Sequence, residues 1–385
     1  MKYFIIAGEA SGDLHASNLM CELKKTDSEA EFCFLGGDLM QAQGGTMIKH
    51  YRQMAFMGII AVLKNARTVL KNLSDCKKAI VDFQPDVLIL VDYPSFNLRI
   101  ARFVKENLKT KIIYYISPKI WAWKEYRIKE IKRYVDKMYT IFPFETAFYA
   151  LHLYKVKYIG NPTVDSVCMR PNQNQTFNEF CTENNLPDKP IIAILAGSRK
   201  QEIKGCLPRM VEAGLLFHEY QVVIAGAPGI DMELYGSVLK GKNVSVVFNQ
   251  TYELLQQAKA AVVNSGTATL ETAIIGTPQV VVYHVPFGKL GYFVKDIVVH
   301  VKFVSLVNIV AEKQVVKELL AHLFTVKNIV KELELILNNE SYRQIMLNEY
   351  SKIKTSLGEP GAATRAAKEI VHYYDLILRC RHSDV

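Results

Sequence analysis

One strand–turn–helix pattern most constrains what this chain can fold into. The run at residues 260–263 contains only Ala and Val, which is typical of a strand buried in a parallel sheet. The polar turn at 264–267 contains one glycine, where a backbone can approach a ligand closely. The spacing at 268–275 predicts a helix that ends at Gly276. The pattern favours an α/β fold with an anion site at the turn, although an ordinary strand–helix turn with an exposed Glu271 fits it equally.

The same pattern opens the chain. An apolar run at 3–6 leads into GEASGD at 8–13 and then into helical spacing at 14–23. The loop is neither GxGxxG nor a P-loop, and its acids would repel a diphosphate, so a nicotinamide-dependent dehydrogenase is disfavoured. Its polar residues suit a sugar ligand or the activation of a hydroxyl group, and they also suit a capping network at a helix start. These residues are Glu9, Ser11, Asp13 and His15.

Length and local composition predict two domains. A chain of 385 residues exceeds one ordinary core. Residues 169–188 are rich in Asn, Gln, Pro and acids, which is typical of a linker, and the strand–helix alternation restarts at 190. We therefore predict domains at 1–168 and 169–340, with C-terminal helices at 341–385 that pack back on an N-terminal domain.

The bulk composition is that of a soluble globular protein, with 50% hydrophobic and 22% charged residues. The net charge of +9 fits phosphorylated ligands, an anionic membrane surface or nucleic acid, but its even spread disfavours a nucleic-acid arm. Seven cysteines without a CxxC pair predict reduced thiols and no zinc site. We find neither a signal peptide nor a spanning apolar run, and we expect a cytoplasmic protein that is at most peripheral to a membrane.

The segment 54–73 is unusually apolar and basic. Its apolar residues follow helical spacing over 62–73, with basic residues on the other side. A buried helix that covers the sheet and an interfacial element on anionic lipid both fit this pattern. In the second case, lipid contacts would come from Phe56, Met57, Leu63 and Leu70.

Two further strand ends carry candidate site residues in the first domain. Asp92 follows the apolar run 87–91, and ligands of open α/β sheets bind beyond such ends. It is a candidate general base for a hydroxyl nucleophile, or else a turn or capping residue. The later run SPKIWAW holds both tryptophans of the chain, Trp121 and Trp123, as a stacking platform or as packing anchors.

A matching strand end opens the second domain. The turn GSR at 197–199 follows the apolar run 191–195. Backbone donors and the Arg199 guanidinium could converge there on one phosphate, although a surface arginine in a loop fits the same letters.

Several motifs together resemble one known family. GEASGD, SPKIWAW, GSR with Glu202, SGTATLE at 265–271, SLVN at 305–308 and VKELL at 316–320 occur in an order and spacing similar to those of lipid-A-disaccharide synthases. The resemblance covers essentially the whole chain. GEASGD and WAW are distinctive, whereas SGTxxLE is shared more widely. The resemblance implies the GT-B arrangement: an α/β protein of two Rossmann-like parallel-sheet domains facing a cleft, closed by C-terminal helices, with donor on the second domain and acceptor on the first.

The resemblance also implies an activity. Such enzymes are inverting hexosyltransferases that need no metal or cofactor. They move 2,3-diacylglucosamine from its UDP-linked donor to 2,3-diacylglucosamine 1-phosphate, giving a β(1→6) disaccharide 1-phosphate and UDP. The implied partners are these two lipids and the anionic inner-membrane surface, without nucleic acid, and a homodimer stays open.

Residue roles follow by position in the matching motifs. Asp92 is the implied base, and Glu9, Ser11, Asp13 and His15 lie on the acceptor side, with Trp121 and Trp123 nearby. Arg199 would neutralise the departing diphosphate. The other implied donor residues are Gly197, Ser198, Ser265, Gly266, Thr267, Ala268, Thr269, Glu271, Asn308 and Glu318.

The chain departs from the family pattern at a few positions. Ser95 stands where a second Asp is usual, Asn161 where the family commonly has His, and Ala61 and His284 also differ. Three rival functions stay open: another lipid-linked sugar transferase, a UDP-sugar 2-epimerase, and a non-catalytic binder of nucleotide sugars or lipids. The binder would be indifferent to Asp92→Ala.

Overall fold

The computed structural model describes residues 1–54, 66–284 and 302–383. The chain divides into two compact units, residues 1–162 with those from 360 on, and residues 163–359. Each unit is built on its own parallel sheet. The prediction of an α/β fold with two parallel sheets is therefore confirmed.

The sheet of the first unit has seven described strands in the order β3-β2-β1-β4-β5-β6-β7, all parallel. Its middle strand, β4, is apolar throughout because helices cover both faces, and every residue of β4 is buried. The strand bounds are β1 Lys2–Ala7, β2 Glu31–Gly36, β3 Thr46–His50, β4 Val87–Val91, β5 Lys111–Tyr115, β6 Lys137–Thr140 and β7 Lys157–Tyr158.

The helices of the first unit connect these strands in chain order. Their bounds are α1 Ala10–Thr26, α2 Asp38–Ala42, α3 Ala66–Phe83, α4 Pro94–Asn107, α5 Ile128–Tyr134 and α6 Pro143–Leu151, with α7 Pro162–Cys168 at the junction. A short 3₁₀ turn, Glu125–Arg127, precedes α5.

The sheet of the second unit has six described strands in the order β10-β9-β8-β11-β12-β13, again all parallel. Their bounds are β8 Ile191–Leu195, β9 Gln221–Gly226, β10 Ser245–Phe248, β11 Ala258–Asn264, β12 Gln279–Tyr283 and β13 Glu318–Leu320. The helices are α8 Phe177–Glu183, α9 Lys200–Gly214, α10 Met232–Leu239, α11 Thr251–Gln257, α12 Thr267–Ile275, α13 Leu306–Ala311, α14 Val326–Asn338 and α15 Glu340–Leu357.

The last helix, α16 Ala362–Ser383, returns to the first unit. There, Thr364 donates to Glu22 on α1 at 2.8 Å, and the Arg365 Nε donates to the Ile159 carbonyl at 2.7 Å. Helix α15 instead belongs to the second unit, so the predicted C-terminal segment 341–385 is split between the units. The first division falls after residue 162, a few residues before the predicted one.

Strand order brings particular turns together. In the first sheet, β1, β4 and β5 are neighbours, so the turns after them share one edge. We call Glu9, His15, Asp92 and Lys119 the first carboxyl edge. In the second sheet, β8 and β11 are neighbours, and we call residues 197–199 with 264–268 the second carboxyl edge.

Candidate functional site

Asp92 stands at the centre of the first carboxyl edge. Its φ of 41° and the φ of 46° at Tyr93 are both left-handed, a strained conformation for residues other than glycine. The backbone carbonyl of Asp92 accepts from the Tyr114 hydroxyl and from Asn97 Nδ2. Gly8 is required opposite, because a Cβ there would lie 2.4 Å from the Tyr93 ring. The surrounding fold thus holds the backbone of Asp92 in a fixed conformation at the strand end.

Burial raises the pKa of the Asp92 carboxyl to about 6. The positive charge of Lys119 lowers that pKa and the negative charge of Glu9 raises it, so both groups lie within electrostatic reach. A pKa just below neutrality is the range in which a general base works best. Its place after β4 and its raised pKa are both compatible with a general base.

His15 lies one turn into α1 and is neutral at pH 7. Burial and, to a smaller extent, the positive charge of Lys119 lower its pKa to about 4. Its Nδ1 atom is buried and has no hydrogen-bond partner among the described residues. The imidazole therefore adds no positive charge to this edge.

Asp13 is occupied by structural bonds. Its carboxylate accepts from the backbone N–H groups of Gly37 at 2.7 Å, Met40 at 3.1 Å and Leu39 at 3.1 Å. It thereby binds the amino end of α2, as helix-capping acids do. The geometry favours a structural role for Asp13 over direct contact with the acceptor, on whose side of the site the resemblance places it. Ser11, also on α1, donates to Glu9 at 3.2 Å.

The two tryptophans differ in their surroundings. Trp121 donates from Nε1 to the buried Glu145 at 3.1 Å and packs edge-on against Phe142 and Phe144, so it is a packing anchor. Trp123 is 42% exposed and carries the Lys124 ammonium 4.3 Å above its ring. Of the pair, Trp123 is available to a ligand or a surface.

Of the four predicted lipid-contacting residues, Phe56, Met57 and Leu63 lie outside the described residues. Leu70 is on α3 and is 62% exposed. In the described part of the chain, no helix has both the length and the hydropathy that a membrane crossing requires.

The second carboxyl edge begins with the turn after β8. Gly197 has a φ of +112°, and a Cβ there would lie 2.5 Å from Glu202 Oε2 and 2.7 Å from Asn264 Nδ2. Only glycine therefore fits between the two turns. Glu202 accepts from the Ser198 N–H at 3.0 Å and pairs with the Arg199 guanidinium at 3.0 Å. The side chain of Arg199 is nevertheless 56% exposed, so it can turn toward a bound anion.

The second turn of this edge leads into α12. Gly266 and Thr267 are exposed at its amino end, and Thr269 bonds back to the Gly266 carbonyl at 2.8 Å. The first N–H groups of a helix lack partners within the helix and carry a partial positive charge. Exposed small residues at this position let an anion reach them, which fits the anion site predicted from the sequence.

Glu271 lies on α12 one turn further along. Burial raises the pKa of its carboxyl, and its Oε1 accepts from the Tyr252 hydroxyl at 3.1 Å. Tyr252 thus orients the carboxylate that the resemblance assigns to the donor. No motif in the sequence indicated this tyrosine.

Asn308 and Glu318 form a buried network rather than an open surface. The Glu318 carboxylate accepts from the N–H groups of Val304 and Ser305, from the Ser305 hydroxyl and from Asn308 Nδ2. Asn308 also accepts from the N–H of Val316 at 2.9 Å. Because Ser265 donates to the Val304 carbonyl at 3.3 Å, the network fixes the loop that borders the second edge. The side chains of both residues are thus engaged in internal hydrogen bonds that hold this loop.

Lys119 and Arg127 are further residues of the first unit that the sequence analysis did not single out. Lys119 is exposed in the segment that follows β5, and Arg127 is buried with its Nη2 2.8 Å from the Ser95 hydroxyl. Lys119 could have been found from the sequence, because it is the basic residue of the SPKIWAW motif that follows a strand. Ser95, where the family usually has an acid, serves here as an acceptor for Arg127.

Known proteins match this chain over nearly its whole length. The family model described as lipid-A-disaccharide synthetase matches residues 3–371. The lipid-A-disaccharide synthase of Myxococcus xanthus is 38% identical over 96% of this chain and 97% of its own. That of Acidobacterium capsulatum is 34% identical over 98% of each chain, and that of Coxiella burnetii, strain Dugway, is 34% identical over 96% and 97%.

Solved structures resemble the fold at low identity. A UDP-GlcNAc 2-epimerase of Methanocaldococcus jannaschii, in complex with UDP-GlcNAc and UDP, has a TM-score of 0.64 at 13% identity, over 97% of this chain and 100% of its own. The glycotransferase of kitacinnamycin has a TM-score of 0.62 at 12% identity, over 96% and 98%. At these identities the likeness concerns the fold alone.

Proposed function

Because this chain belongs to the lipid-A-disaccharide synthase family, we propose that its two carboxyl edges carry out the two halves of one glycosyl transfer. The protein is a hexosyltransferase of that type. Its donor is UDP-2,3-diacylglucosamine and its acceptor is 2,3-diacylglucosamine 1-phosphate. The acceptor 6-hydroxyl attacks the anomeric carbon, the bond to UDP breaks, and the configuration inverts to the β(1→6) linkage.

The first half of the reaction is removal of the acceptor proton, which we assign to Asp92. A hydroxyl becomes nucleophilic enough only as its proton leaves, and Asp92 is the acid at this edge with a pKa near neutrality. Glu9 helps to keep that carboxylate basic through its negative charge. The placement and basicity of Asp92, in a chain that matches the family throughout, are the observation that carries the proposal.

The second half is stabilisation of the departing UDP, which we assign to the second carboxyl edge. Negative charge accumulates on the diphosphate as the glycosidic bond breaks. The Arg199 guanidinium and the N–H groups at the start of α12 supply fixed donors for that charge, and Gly197 and Ser198 bring the backbone close. Glu271, oriented by Tyr252, binds the ribose hydroxyls.

The acceptor carries a phosphate, and Lys119 is the cation that we assign to it. Lys119 is exposed beside Asp92, whereas His15 is neutral and Asp13 is occupied. The acyl chains of both substrates would remain in a membrane. We therefore place the enzyme at the cytoplasmic face of an anionic inner membrane, which its net charge of +9 favours.

The proposal is tested by UDP release from UDP-2,3-diacylglucosamine in detergent, with and without the 1-phosphate acceptor. Acceptor-dependent release, together with a disaccharide 1-phosphate by mass spectrometry, is the expected result. Isomerisation of the donor without acceptor would instead indicate an epimerase. Tight UDP binding without turnover over a range of acyl lengths would indicate a binding protein.

A further inference from the structure

Four large apolar side chains of the first unit are strongly exposed to solvent. Leu151, at the end of α6, is 84% exposed and Leu153 is 89% exposed. Tyr126 is 65% exposed and Trp123 is 42% exposed. We call these four residues the apolar ridge.

Contacts within the unit join the two halves of the apolar ridge. His152, between the two leucines, has its Nε2 3.1 Å from Glu125 Oε1, next to Tyr126. The Lys132 ammonium donates to the His152 carbonyl at 3.0 Å. The leucine half and the tryptophan half therefore border each other on one surface, although they come from different segments.

The side chain of Leu153 buries almost no surface against its own unit. Its side chain is almost fully in water, and its φ of 54° is left-handed, a conformation in which a bulky residue is disfavoured and Asn or Gly is usual. Because both its exposure and its backbone conformation are unfavourable, this leucine is better explained by contact with something outside the unit.

Cationic residues surround the apolar ridge. The acids Glu125 and Glu130 are exposed in the same segment, and Glu125 is already paired with His152. The aliphatic part of a lysine side chain can lie along an apolar surface while its ammonium group stays in water. The cations are Lys124, Lys129, Lys132, Arg133 and Lys155.

We propose that the apolar ridge and these cations dock the first unit onto an anionic bilayer, with the apolar side chains at the depth of the headgroups. Aromatic and leucine side chains flanked by Lys and Arg are the composition of interfacial membrane surfaces. A protein interface would be poor in lysine at its centre. The Arg127 guanidinium lies 6.0 Å from the centre of the Trp123 ring and donates to the Ser95 hydroxyl, close in sequence to Asp92, so the ridge extends toward the acceptor side of the unit. This inference rests on the proposed function, because it places the docking surface beside the site for a membrane-resident acceptor.

The docking surface is separate from the segment 54–73 that the sequence singled out. That segment continues into α3, where Leu70 is exposed, whereas the ridge belongs to the turn before α5 and the end of α6. Variants of the ridge leave 54–73 unchanged, so the two contributions can be measured apart.

The test compares sedimentation of the full chain with vesicles of phosphatidylethanolamine and phosphatidylglycerol, and with vesicles of phosphatidylcholine alone. The apolar variant is Leu151→Gln/Leu153→Asn, in which Asn also suits the left-handed backbone. We expect its partition coefficient on anionic vesicles to fall about tenfold. The charge variant Lys129→Gln/Arg133→Gln should fall about tenfold on anionic vesicles and hardly at all on neutral ones.

A matched control removes equally exposed apolar residues from the second unit. Leu216 is 57% exposed and Ile345 is 64% exposed, and Leu216→Gln/Ile345→Gln should sediment like wild type. All variants should form disaccharide at the wild-type rate from detergent-dispersed substrates, since no substituted residue lies at either carboxyl edge. Thermal melts check that each variant is folded.

Each other outcome overturns the inference in a distinguishable way. Ridge variants that sediment like wild type would show that the ridge is not a membrane surface, and a fall in mass by light scattering would then identify it as a contact between copies. A wild-type chain that binds neither vesicle, yet makes disaccharide in detergent, would refute docking while leaving the transferase intact. Loss of activity in detergent throughout would count against the proposed function itself.

Discussion

The two carboxyl edges have the same architecture but opposite chemistry. Each lies where neighbouring parallel strands end and a helix begins. The first edge presents ionisable groups with shifted pKa values, Asp92 raised to about 6 and His15 lowered to about 4. The second presents donors, because its acid Glu202 is already engaged by the Ser198 N–H and the Arg199 guanidinium.

This difference between the two edges shows how the same arrangement of strands and helices can present either a base or an anion site. A buried acid without strong donors stays basic, whereas an acid that accepts several hydrogen bonds becomes part of the scaffold. Asp13 shows that both kinds coexist in the first unit, since three backbone N–H groups bind it a few residues away from Glu9. The contacts of a carboxylate, more than its residue type, therefore decide whether it can do chemistry.

The strongest test of the comparison is Asp92→Asn. An amide cannot accept the proton, and we expect kcat to fall about 10³-fold. UDP affinity, measured by calorimetry, should stay at the wild-type value because the second edge is untouched. The control Asp38→Asn removes an exposed acid of the same unit and should be near wild type. Turnover of Asp92→Asn close to wild type, in a folded protein, would rule out Asp92 as the base.

The complementary test at the second edge is Arg199→Ala. Loss of a guanidinium that binds the leaving diphosphate should lower kcat about 10²-fold and weaken UDP binding about tenfold. Lys200→Ala, an exposed cation at the next position, is the matched control. Equal losses in the two variants would mean that general positive charge, rather than the Arg199 position, matters there.

Asn308→Ala tests whether the network behind the second edge is structural. The fully buried amide bonds to Val316 and to Glu318, and its loss leaves several polar groups unsatisfied. We expect the free energy of unfolding to fall by about 2–3 kcal/mol in urea titrations. The exposed Asn348→Ala should change it by less than about 0.5 kcal/mol. A stable Asn308→Ala variant that no longer binds UDP would instead indicate direct contact with the donor.

Much of the fold follows from local patterns. The run at 87–91 is apolar at every position because both faces of β4 are covered, so the sequence alone indicates a buried strand. The turn at 264–267 likewise predicted a helix start, and α12 begins at Thr267. Strand, turn and helix are local preferences that neighbouring residues largely determine.

The roles of individual polar residues are less predictable. Asp13, Asn308 and Glu318 match the motifs, yet their side chains accept or donate several internal bonds to residues outside their own elements. Lys119 was missed because an exposed lysine is common and only the strand order brings it beside Asp92. The return of α16 to the first unit also depends on long-range contacts such as that of Arg365 with Ile159.

The finest test concerns the electrostatic balance of the first edge. Asp92 must be ionised to accept a proton, so kcat/KM should rise with pH through about 6. Lys119 favours the ionised form, and Glu9 and burial oppose it, while the neutral His15 adds no charge near pH 6. Lys119→Met should therefore move the acid limb of the pH profile to higher pH, with activity below its midpoint about two- to fivefold lower. Lys119→Arg, which keeps the charge, should restore the wild-type limb.

The same variant separates two roles of Lys119. If the ammonium also binds the acceptor phosphate, Lys119→Met should raise KM for the 1-phosphate acceptor at pH 8, where Asp92 is ionised in both proteins, without changing KM for the UDP-sugar. Lys109→Met, an exposed cation elsewhere in the unit, controls for net charge and should leave both the limb and KM unchanged. An unmoved acid limb in Lys119→Met would show that Asp92 does not sense this lysine. The pKa of Asp92 would then be set mainly by burial and by the negative charge of Glu9, which both raise it.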